Sequence, residues 1–191
     1  MTLESSKTLG GVGAILAAVG NFVPFLGLIG IILVLIALKD LAEVYNERDI
    51  FQNALYAFIF GLIGIAAAIV LFLSMFATGF FMGMTPTPPP TPPTETPLPS
   101  FIVSIIEVLI VIFIFYVLEA VFYRKSFTLV AEKSGEKMFN TAGTLLLIGA
   151  ILVIIFIGAI IMLIAWILVA IAFFSIKTPP PSAEAPPPPP P

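Results

Sequence analysis

Hydrophobic residues occur along this chain in long blocks, with no charged side chain over residues 8–38, 50–84 and 138–176, which are 31, 35 and 39 positions. A membrane-spanning helix needs about 20 apolar residues, because a helix rises about 1.5 Å per residue and the hydrocarbon core is about 30 Å thick. As one helix the last block would be roughly 58 Å long, and fitting it into a bilayer would take a tilt of about 60°, outside the usual range of about 0–40°. Length therefore predicts that this block folds back on itself.

Local chemistry places the bends. Gly20 and Asn21 form a helix-ending pair, and Pro24 lacks an N–H and disfavours helical geometry at Val23, so the first block divides into helices over 3–20 and 25–45. The last block has one candidate corner, Phe156-Ile157-Gly158, giving arms over 138–155 and 159–176. The middle block has no comparable break and predicts a single span over 50–79, with residues 78–84 (TGFFMGM) as an interfacial end. A fourth apolar run, 101–123, has a conventional length. The expected fold is an all-α transmembrane bundle of six helices: a hairpin, two single spans and a second hairpin. The alternative is four long helices, each long block crossing once.

Composition agrees with lipid as the solvent: 60% of residues are hydrophobic, 10% are charged and the mean hydropathy is +1.17. The chain divides into an N-terminal membrane half (1–84), a Pro/Thr-rich linker (85–100), a C-terminal membrane half (101–177) and a Pro-rich tail (178–191) expected to be disordered. Residues 85–99 hold eight prolines and five threonines, which suits an extended polyproline-II spacer. Glu4, and an apolar run that continues past Gly20, set the N-terminus apart from a signal peptide.

Charge adds sidedness. In the six-helix arrangement all eight Lys and Arg residues fall on one side, whereas four helices move Lys7 and Lys177 to the other. Short cytoplasmic connections are enriched in basic residues, so both termini are expected in the cytoplasm and residues 85–99 outside the cell. The connections 39–49 and 124–137 mix apolar and charged residues and read as segments lying along the membrane surface.

Little catalytic chemistry remains. The chain has no cysteine and no histidine, which removes thiolate metal sites and the commonest general base. GGVG (10–13) follows no strand, SKT (6–8) lacks the glycines of a phosphate loop, and Asp40, Glu43, Glu47 and Asp49 lack the spacing of a calcium loop. No cofactor, metal or enzymatic activity is expected. The net charge of −3 is spread along the chain and gives no footprint for nucleic acid.

Ionisable residues inside a membrane helix are costly and mark candidate sites. The fourth helix carries two, Glu107 and Glu119. Ser100, Ser104 and Glu107 share one stripe by their i, i+4, i+7 spacing, and Glu107 is the candidate proton- or cation-binding carboxylate. Its structural reading is a buried hydrogen bond to another helix, with Asn140, Thr141 or Ser74, or simple exposure to water entering beneath the 85–99 loop. Glu119, about 120° further around the helix, is accounted for by interfacial pairing with Arg124 or Lys125. Small residues at helix-packing spacing (Gly10, Ala14 and Ala18; Gly13 and Ala17; Gly64 and Ala68; Gly79 and Gly83) allow close helix approach, within the monomer by default.

The segments LESSKTLGGVGAIL (3–16), LKDLAEVYNERDIFQNALYAFIFGLIG (38–64), SGEKMFNTAGTLLLIGAIL (134–152) and AFFSIK (172–177) resemble the archaeal membrane-protein family called domain of unknown function 996. The resemblance implies an integral membrane protein and carries over no site residues. The expected role is a non-enzymatic structural or accessory subunit, with the lipid bilayer and a membrane-protein partner or second copy as neighbours. The alternative is a small oligomeric transporter or channel using an intramembrane carboxylate.

Overall fold

The computed structural model describes residues 3–20, 22–84, 98–155 and 157–177. Residues 85–97 and 178–191, which contain most of the proposed spacer and the proposed tail, lie outside them. So do the side chains of Ser100 and Ser104 and the surroundings of Gly79 and Gly83.

Six α-helices account for nearly all of the described chain: α1 Leu3–Val19, α2 Pro24–Val44, α3 Arg48–Met84, α4 Leu98–Ser134, α5 Met138–Leu152 and α6 Ile157–Ser175. A single 3-10 turn, Val153–Ile155, sits at the corner between α5 and α6. Pro24 occupies the first turn of α2, where its missing N–H costs nothing, and Val23 before it is extended. The all-α, six-helix architecture expected from the sequence is the one found.

Two elements differ from expectation. Residues 124–134 do not lie along a surface; they continue α4 without a break, because Phe127 and Val130 point into the core with no exposed surface. Their charged neighbours Arg124, Lys125, Glu132 and Lys133 occupy the other face, so the stretch is an amphipathic helix packed on protein. Helix α1 is the second. At 17 residues it is shorter than the other helices except α5, and it is not among the five that are long and apolar enough to cross a membrane.

Each helix packs against the next in sequence, and α6 returns to pack against α1, which closes a ring. Glycines let the hairpin arms touch backbone to backbone. A side chain on Gly30 would run into the main chain of α1 at Ala17 and Gly13, and one on Gly158 would strike the backbone of α5 at Gly149. In lipid, where apolar burial gives helices little reason to associate, such close contact supplies the dispersion energy.

The largest fully buried side chains, among them Tyr123, Phe127, Phe139 and Phe173, lie close in sequence to the basic residues Arg124, Lys125, Lys137 and Lys177. Rings contact in succession there, from Trp166 to Tyr123, Phe127, Phe139 and Phe173, with centroids 5.0–5.9 Å apart. Buried Ser126 ties α4 to α3 by donating to the Ile50 carbonyl at 2.8 Å. Large apolar side chains such as Ile69, Phe72, Leu109 and Ile160 cover the outside. Five helices that could span a membrane, apolar on their outer faces, suit a bundle surrounded by lipid.

Candidate functional site

A half-open cavity of about 300 Å³ lies among the helices of the ring, and every helix contributes to its wall. α3 and α4 supply most of the lining. Glycine makes the space: Gly20, Gly27, Gly61 and Gly64 all face the cavity. Aromatic side chains shape the rest, including Phe60 from α3, Phe115 and Tyr116 from α4, and Trp166 from α6.

Among the described residues, the one Asp, Glu, Lys or Arg on this wall is Glu119. Its carboxyl group lies against α3, with the position of a Cβ at Gly61 only 3.0 Å from the carboxyl carbon and 3.1 Å from each oxygen. Tyr116 and Tyr123, three residues before and four after, share its helix face and also line the cavity. Tyr123 is 1% exposed, and its hydroxyl has no hydrogen-bond partner among the described residues. A buried hydroxyl left unpaired is costly and calls for a partner.

The expected pairing of Glu119 with Arg124 or Lys125 is not what forms. Lys125 Nζ sits over the Phe122 ring, 5.1 Å from its centroid, and Arg124 is exposed alongside Gly143 of α5. The described ion pairs are Lys7–Glu4 at 3.2 Å and Lys133–Glu47 at 2.8 Å. The carboxylate that pairing was to satisfy instead faces the cavity.

Glu107 is placed the other way. It is exposed on the outer face of α4 beside Ile106 and Ile110. Helical phase explains the inversion: if the face at position 119 looks into the ring, the face about 120° away cannot. Of the partners considered for it, Asn140 Oδ1 accepts a hydrogen bond from Thr128 at 3.2 Å and Ser74 donates to the Leu71 carbonyl at 2.8 Å. The signal that marks the cavity was present in the sequence as Tyr116, Glu119 and Tyr123, spaced i, i+3, i+7.

The model of a family described as protein of unknown function, DUF996, matches residues 26–167, well over half of the chain. The chain belongs to the DUF996 family. It is also 30% identical over 184 residues to an uncharacterised protein of the archaeon Methanocaldococcus jannaschii, covering 92% of this chain and 94% of that protein. No solved structure matches. The DUF996 match runs from α2 into α6 and so takes in Gly61, Tyr116, Glu119, Tyr123 and Trp166. Among the described residues no three acidic side chains gather into a metal site.

Proposed function

We propose that this DUF996 protein is a multi-pass protein of the cell membrane that holds a small solute or ion inside its helix ring, with Glu119 as the binding group and no enzymatic chemistry of its own. The observation that carries the reading is the Glu119 carboxyl group facing a half-open cavity to which all six helices contribute. A charged residue turned into a membrane bundle without an ion-pair partner among the described residues is the usual mark of a solute or ion path. The cavity volume lies at the small end of the range for ligand sites, about 300–1,000 Å³. Thermal unfolding of the purified protein across a panel of inorganic ions and small solutes tests this. At least one compound should raise the melting temperature of wild type and not of Glu119→Gln; no stabilising compound, or equal stabilisation of both proteins, overturns it.

A second reading, an accessory subunit of a membrane complex, is supported by Glu107. A carboxylate on an apolar outer face is costly in lipid and gains from a protein neighbour. Gentle purification from native membranes with mass spectrometry tests it: a stoichiometric partner supports the subunit role, while a lone monomer or a homo-oligomer removes it.

The proposed orientation has both termini in the cytoplasm and residues 85–99 outside. Single cysteines at Ser182 and Thr91 should react with impermeant reagents from opposite sides, and reaction from the same side overturns it.

A further inference from the structure

We infer that the cavity is a site for a monovalent ammonium ion with a small apolar or aromatic body. This rests on the reading of Glu119 as a ligand-binding group and names the ligand's chemistry. Three features of the wall converge on it.

First, Glu119 is the one Asp, Glu, Lys or Arg on the wall among the described residues, so the formal charge that side chain can bring is negative, which suits a cation and disfavours an anion. Second, the Tyr123 hydroxyl is buried and unpaired, on the same helix face as Glu119. A hydroxyl has lone pairs as well as a proton, so Tyr123 Oη, once its ring turns towards the cavity it lines, can accept from an ammonium N–H while another N–H donates to the carboxylate. A bare alkali ion would satisfy the charge and leave most of the wall without a purpose. Third, the remaining wall is apolar, with aromatic rings set among aliphatic side chains such as Leu28, Ile31, Ile65 and Met162. Phe60, Phe115 and Trp166 line the same space, and Phe60 and Phe115 lie with their ring centroids 6.4 Å apart. Aromatic faces attract a cation through the ring quadrupole and exclude water from an apolar body. The volume of about 300 Å³ limits the ligand to a small molecule.

Trp166 makes the inference directly measurable, because it is the only tryptophan of the chain and it lines the cavity. The full-length protein in zwitterionic nanodiscs would be titrated with phenethylammonium and, separately, with 2-phenylethanol, which has a similar body and no charge. Saturable change in Trp166 emission is expected with the amine, with the alcohol binding more weakly. Glu119→Gln should weaken the amine by about tenfold to hundredfold, the range for losing a charged hydrogen bond. Equal affinity of wild type for the two compounds overturns the ammonium assignment while leaving a ligand cavity in place. No saturable response to either compound also overturns the ammonium assignment, and the broader solute or ion site is then decided by the melting-temperature panel. Should Glu119→Gln fail to fold, the comparison of the two compounds on wild type still decides.

Discussion

Glu119 of α4 and Gly61 of α3 meet so closely that a methyl group on Gly61 would stand 3.0 Å from the carboxyl carbon and 3.1 Å from both carboxyl oxygens. That separation is tighter than ordinary van der Waals contact, and the group that must give way is the end of a flexible side chain. Gly61→Ala should therefore fold and push the carboxylate off its resting position in the cavity. Returning the displaced carboxylate to the ligand against that contact should cost about 1 kcal/mol on binding, or about fivefold in phenethylammonium affinity. Titration followed by Trp166 emission checks it, and unchanged affinity would show that the carboxylate's position against α3 is not needed.

Gly30 poses the opposite situation. A Cβ there would run into the backbone of Ala17 and Gly13, which cannot swing aside, so Gly30→Ala must move α1 and α2 apart at that contact. A loss of about 1–3 kcal/mol in stability is expected. Gly135, in the turn after α4, has open space around it and φ of 75°, so Gly135→Ala is opposed only by the left-handed backbone, at about 1–2 kcal/mol. Reversible unfolding in mixed detergent, read by circular dichroism, should show both variants destabilised. Only Gly30→Ala should also weaken binding, because Gly27 and Ile31 from the same helix line the cavity.

Ser126 tests the continuation of α4 beyond the expected membrane segment. Its hydroxyl is buried and donates to the Ile50 carbonyl at 2.8 Å, joining α4 to the start of α3. Ser126→Ala should cost about 1 kcal/mol, the typical net worth of such a bond, and Ser126→Val more because the added methyl groups must find room in a packed core. If residues 124–134 instead lay loose along the surface, both substitutions would leave the unfolding midpoint unchanged.

The helix count was legible because it depends on quantities a sequence carries directly: the length of an apolar block, the bilayer thickness, and the Gly20-to-Pro24 interruption that becomes the α1–α2 corner. The site was less so. Tyr116, Glu119 and Tyr123 fall on one helix face in the sequence, yet hydropathy says nothing about which face of a uniformly apolar helix turns inward. Glu107 looked deeper by its distance from the charged ends, whereas direction around the helix decides exposure. The misreading of 124–134 has a similar cause, since an amphipathic stretch can bury its apolar face against lipid or against protein. Only the partners Ile50 and Phe139, distant in sequence, select protein.

The short hairpins carry the last prediction. Helix α1 has 17 residues, hence a length of about 25 Å, less than the hydrocarbon thickness of about 30 Å. The corner it leads into is apolar and outward-facing, with Phe22 77% exposed, and the corner between α5 and α6 presents Ile154 at 65%. A water-exposed turn would gain from polar residues at those positions, whereas a turn held in lipid must satisfy its own backbone. The first corner largely does so: Gly20 donates to the Leu16 carbonyl at 2.9 Å, Phe22 and Val23 donate to the Val19 carbonyl at 2.9 and 3.1 Å, and Pro24 has no N–H to satisfy. Both corners are therefore expected below the headgroups. Nitroxides at Phe22 and Ile154 should relax faster with oxygen than with an aqueous nickel complex, and one at Lys177 should show the reverse. Equal access of the nickel complex at all three sites would place the corners in water and make each hairpin a full crossing pair.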